Sequence, residues 1–110
     1  MNAEQDRVRL RHMLDAAEKA VDLTAGVSTG DFLANEEKQL AVVRLLEIIG
    51  EAANRVSDPL KERHPEIPWS QITATRNRLI HGYFDIDLNV VWRIVSEDLP
   101  ALVAQLHAIL

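Results

Sequence analysis

The sequence contains no cysteine. Disulfide staples, thiolate metal sites and cysteine nucleophiles are therefore excluded. Glycine and proline are scarce, at four residues each, and no glycine-rich loop exists that could cradle the phosphates of a nucleotide. No apolar run approaches the roughly 20 residues that cross a bilayer. The opening stretch, MNAEQDRVRLRHML, mixes charges and has no apolar block, so it does not read as a secretory signal. The expectation is a cytoplasmic chain with no membrane contact. Excess positive charge is also missing. A formal net charge of -5 argues against a generic nucleic-acid coat, because phosphate binding needs a positive surface. A local basic pocket remains open, so the placement of the arginines matters more than their sum.

What is present points to helices. The 110 residues are 47% hydrophobic and 26% charged, which suits a single domain, residues 1–110, around one core. Leu, Ala, Val, Glu and Arg dominate. Leu10, Leu14, Ala17, Val21 and Thr24 recur at helical steps and predict a helix over 2–24. The glycines and hydroxyl residues of AGVSTGD break it, and DFLA reads as a short turn. Asn35 is a candidate N-cap for a second helix over 35–56, with Glu36 and Glu37 at the positive end of its dipole. Val42, Leu45, Leu46, Ile49, Ala52, Ala53 and Val56 form its apolar stripe, and Leu40, Val43 and Ile48 widen it. So broad an apolar surface predicts a central helix or one that also faces another subunit. Gly50 inside it costs roughly 1 kcal/mol against Ala, which predicts close packing.

A short helix follows from Ser57 or Asp58, with Pro59 in its first turn and Pro65 ending it. Pro68 opens a helix expected to reach His81, with Gly82 at its stop. Asp87 caps the last helix, which starts at Leu88 and meets a kink or break at Pro100. The fold expected is an all-α up-and-down bundle of four main helices plus a short one.

The chemistry concentrates between Arg76 and Tyr83. Asn77 and His81 lie four residues apart and Arg78 and His81 three apart, so each pair shares a helix face. Arginine offers a planar, permanently charged fork for phosphate. Histidine exchanges a proton near neutral pH. From these residues alone a solvated helix face with a capping histidine is the commoner arrangement. His12, His64 and His107 have no such company and read as surface or packing residues. Glu47 and Glu51 could hold a metal by spacing, but Arg55 continues their row and favours an ion-paired face. Trp69 and Trp92 read as core or interface aromatics, without the interleaved basic residues of a base-stacking platform.

RNRLIHGY fits R-x4-H-x-Y, with Arg76, His81 and Tyr83 at its fixed positions. AVVRLLEIIGEAANRVS, HPEIPWSQITATRNRLIHGYF and DLNVVWRIVSEDLPAL flank and contain it. In that order these segments resemble the HepT-like ribonuclease toxins of the HEPN superfamily, from about Leu40 to Leu102. The resemblance implies a homodimeric helical bundle that cuts RNA without a metal or other cofactor. Arg76 and His81 of both subunits would face a shared cleft. His81 would act as acid or base, Arg76 would hold the charge building on phosphorus, and Asn77 and Arg78 would orient the substrate or bind phosphate. It further implies a toxin–antitoxin pair in which a nucleotidyltransferase antitoxin attaches AMP to Tyr83. The alternative for Tyr83 is packing on the helix end. The alternative for the chain is a non-catalytic helical module that binds RNA or a nucleotidyltransferase.

Overall fold

The computed structural model describes residues 3–79 and 85–110, apart from the Arg76 side chain. Helix α1 spans Ala3–Thr24. Leu10, Met13, Leu14, Ala17 and Ala20 give it one buried face. It stops where Gly26 adopts φ +74°, a left-handed backbone that costs glycine little and other residues more. The stretch expected to be a mere turn is a one-turn helix, α2 (Thr29–Leu33). Ser28 caps it by accepting from the Asp31 N–H at 3.1 Å. Phe32 is fully buried and packs on Trp92, ring centroids 5.1 Å apart. Burial of that ring holds a helix too short to persist alone.

Helix α3 (Glu36–Asn54) is the axis of the bundle. Asn35 caps it as expected, accepting from the Lys38 N–H at 3.0 Å. Val42, Val43, Leu46, Ile49 and Ala53 are buried. One side packs along α1 and the other against the segments that follow, so the broad apolar surface is largely covered within the chain. A Cβ built on Gly50 would stand 3.1 Å from the Ile72 carbonyl oxygen and 4.0 Å from the Thr75 Cβ. Glycine thus lets the backbones come together.

Helix α4 (Asp58–Arg63) carries Pro59 in its first turn. Its N-cap residue, Ser57, gives no capping bond. Instead the Asp6 carboxylate accepts from the Ser57 N–H at 2.9 Å and from its hydroxyl at 2.6 Å. Asp6 is buried, and the paired bonds pin the start of α1 to the α3–α4 corner.

The helix expected over 68–81 is divided. α5 covers Trp69–Thr73 and α6 covers Thr75–Leu79, with the break at Ala74. The Thr73 hydroxyl donates to the Ser70 carbonyl and that of Thr75 to the Gln71 carbonyl, each at 3.2 Å. Such back-bonding bends helices. The Trp69 indole N–H donates to the His64 carbonyl at 2.9 Å, which fixes the start of α5. Gly82, the expected stop, lies outside the described residues.

Asp87 caps α7 (Leu88–Arg93), accepting from the Val90 N–H at 3.2 Å. A π-turn over Ile94–Asp98 joins it to α8 (Leu99–Ile109). Pro100 lacks an N–H to give to the preceding turn, and the wider turn just before it absorbs that defect. The expected four-helix bundle is thus formed by α1, α3, α5–α6 and α7–α8, with α2 and α4 as short connectors. The fold is all-α. No helix among the described residues is long and apolar enough to cross a membrane.

Candidate functional site

Helix α6 carries the start of the sequence motif. Two of its residues hold it to the core. Thr75 is buried, and Leu79, four residues on, is wholly buried. This spacing sets one row of α6 inward. Asn77 between them is exposed. Arg78 is half-buried and lines a groove of about 270 Å³ between α5–α6 and the π-turn with α8. The groove has an apolar floor that includes Leu46, Ile72 and Leu102, and acidic groups at Glu66, Glu97 and Asp98. Within it Arg78 is one positive charge facing three carboxylates. Three carboxylates against one guanidinium make the groove itself unfavourable for a phosphate.

The Leu79 carbonyl accepts from the Asp87 N–H at 2.8 Å. That bond joins the two ends of the segment carrying the rest of the motif. His81 and Tyr83 lie outside the described residues, as does the Arg76 side chain. Asn77 and Arg78 are placed on one short helix but aimed differently, Asn77 outward and Arg78 along the groove.

The expected ion-paired row of Glu47, Glu51 and Arg55 does not form among the described residues. Glu47 pairs with Arg44 at 3.7 Å, an exposed pairing worth little. Glu51 and Arg55 make no ion pair among the described residues. Arg55 is the C-cap of α3, where the helix ends and its side chain can leave the row. No three of the described His, Asp and Glu residues gather to hold a metal ion. His64 faces Glu66 at 3.4 Å and His107 faces Glu18 at 3.3 Å, which suits the surface roles expected of both. Trp69 is buried and Trp92 partly so, as core aromatics.

The sequence reading missed a feature at the opposite side of α3. Arg9, on α1, has a buried Nε without a hydrogen-bond partner. Leaving a buried N–H unpaired costs about 1–3 kcal/mol. No local spacing signals this, because Arg9 meets Arg55 only through the α1–α3 packing.

With this geometry in place, the chain matches the family model described as Ribonuclease HepT-like over residues 13–109. The chain belongs to the ribonuclease HepT-like family. The matched span takes in the second half of α1, all of α3, the motif segment and the closing α7–α8 unit. Among its relatives, a protein of Thermococcus cleftensis named "Probable ribonuclease HepT" is 42% identical over 84% of each chain. A protein of Methanocaldococcus jannaschii named "Putative RNase MJ1380" is 35% identical over 93% of this chain and 94% of its own. No solved structure matches the chain.

Proposed function

We propose that the protein is a metal-independent endoribonuclease, the toxin of a toxin–antitoxin pair, acting as a homodimer in the cytoplasm. The observation that carries this reading is the string Arg76, His81 and Tyr83 at R-x4-H-x-Y within a chain matched by a HepT-like ribonuclease model. In the reaction proposed, the ribose 2′-oxygen attacks phosphorus and the P–O5′ bond breaks. A base takes the 2′-hydroxyl proton and an acid protonates the departing 5′-oxygen. One chain contributes one motif histidine, so a two-fold dimer supplies the second. His81 takes one role and the partner's His81 the other. Arg76 of each protomer holds the charge developing on the phosphoryl oxygens. Asn77, exposed on α6, and Arg78 orient the strand or hold a neighbouring phosphate. A dimer would also collect the arginines in one cleft, which reconciles an acidic chain with a polyanionic substrate.

Tyr83 follows the motif histidine by two residues. Attachment of AMP there by a partner nucleotidyltransferase would place a negative phosphate beside Arg76 and block RNA by bulk and by charge. The test is expression of the chain alone and with a partner nucleotidyltransferase. Expression alone arrests growth, His81→Ala relieves the arrest, and co-expression yields Tyr83 heavier by one AMP in mass spectra. Undiminished toxicity of His81→Ala overturns the catalytic assignment, and an unmodified Tyr83 under co-expression removes the regulatory one.

A further inference from the structure

Two arginines outside the motif have no use in the mechanism above. Arg9, on α1, and Arg55, at the end of α3, line a cavity of about 310 Å³ together with His12 and Glu51. The same pair borders a second, more open cavity of about 420 Å³ toward Ser57 and Asp58. Neither arginine, nor His12, makes an ion pair or a side-chain hydrogen bond among the described residues, and the Arg9 Nε is buried without an acceptor. Asp6, one turn before Arg9 on α1, has both carboxylate oxygens engaged by Ser57. The carboxylates that remain are Glu51 on one cavity and Asp58 on the other, against two guanidinium groups. A guanidinium whose N–H groups lack acceptors is completed best by an oxyanion with several oxygens.

The position relates this corner to the motif. Gly50 lies against Thr75, the first residue of α6. Arg55 is five residues further along α3, about 7.5 Å along the helix axis and roughly 140° around it, on the side of α3 turned away from α6. From these facts we infer that Arg9 and Arg55 together grip one backbone phosphate of the RNA strand, with His12 as a supporting donor. The inference rests on the ribonuclease reading and extends it to where the strand runs. Contact is with phosphate alone, so it adds affinity without reading sequence.

The test is binding of a short 2′-O-methylated single-stranded oligoribonucleotide, which cannot be cut by 2′-oxygen attack, across a series of salt concentrations. Arg9→Met with Arg55→Met keeps the apolar stems and removes the charges. Affinity should fall roughly tenfold, and the slope of log affinity against log salt should shrink by about 0.7, the loss of one single-strand phosphate contact. Single-turnover cleavage of unmodified RNA at saturation should keep its rate. Arg55→Glu, at an exposed position, gives a second reading that leaves the α1–α3 core intact, with a larger loss of affinity expected. Unchanged affinity in both variants overturns the inference, as does weaker binding with an unchanged salt slope. Inorganic phosphate bound by the wild-type chain but not by the Met pair, with strand affinity unaltered, would assign the corner to a free anion and overturn it too. A wild-type protein that neither binds nor cuts RNA removes the ribonuclease reading as well. Wild-type binding and cutting with indifferent variants removes the phosphate grip alone.

Discussion

Helices α1 and α6 are held in opposite ways. α1 runs for 22 residues and buries a continuous row from Leu10 to Ala20 against α3 and α8. α6 has five residues and is fixed to the core by Thr75 and Leu79. Between those two points Asn77 is free of packing and Arg78 is only half covered. Long apolar faces are committed to each other by the area they bury. A one-turn helix pinned at both ends instead holds Asn77 and Arg78 at a set height and commits neither fully to the core. The scaffold is specified by packing, whereas packing does not account for Asn77.

This contrast can be broken in a graded way. On the proposed charge-holding role of Arg76, Arg76→Ala should lower RNA cleavage by roughly 10²–10³-fold with no change in oligomeric state or thermal midpoint. Kinetics and sedimentation on the same preparation check it. Leu79→Ala should destabilise by about 2–5 kcal/mol and also cut activity, since it frees the end of α6. Leu14→Ala should cost a similar amount of stability in denaturant titrations and leave the activity of the folded fraction unchanged. Equal activity losses in the two would erase the distinction between the regions. Asp6→Ala should cost about 1–3 kcal/mol by leaving the Ser57 donors without an acceptor, read as a lower denaturation midpoint. Gly50→Ala should be the mildest for stability, within about 1 kcal/mol, because the helix propensity gained opposes a 3.1 Å approach to the Ile72 carbonyl. Its effect should show instead as slower cleavage, since the neighbour that must yield is the α5 backbone that leads into α6.

Much of the scaffold was legible because its causes are local. Asn35 and Asp87 were readable as caps from residue type and position, and both accept the expected backbone N–H. The small size of Gly50 announced a close approach before its neighbour was known. The break at Ala74 was harder to see. Its cause is a pair of threonine hydroxyls bonding backward, which competes with an otherwise sound helical pattern. The one-turn α2 depends on the burial of Phe32 against Trp92, sixty residues later in the chain, and no window of sequence contains both. The site divides in the same manner. The motif is a string in the sequence, with His81, Tyr83 and the Arg76 side chain outside the described residues, whereas the acidic groove beside Arg78 and the meeting of Arg9 with Arg55 arise from tertiary packing. The expected Glu51–Arg55 pairing failed because Arg55 sits where α3 ends, a boundary that periodicity alone places only loosely.

The chemical ends of cut RNA probe the central claim most directly. An RNA strand and its counterpart carrying a single 2′-deoxy sugar at the cleavage point should be incubated with the wild-type protein and with His81→Ala. Attack by the neighbouring 2′-oxygen requires 2′,3′-cyclic phosphate and 5′-hydroxyl ends from the wild type, resistance of the 2′-deoxy strand, and no products from the variant. Products ending in 3′-hydroxyl and 5′-phosphate, or ready cutting of the 2′-deoxy strand, would contradict it.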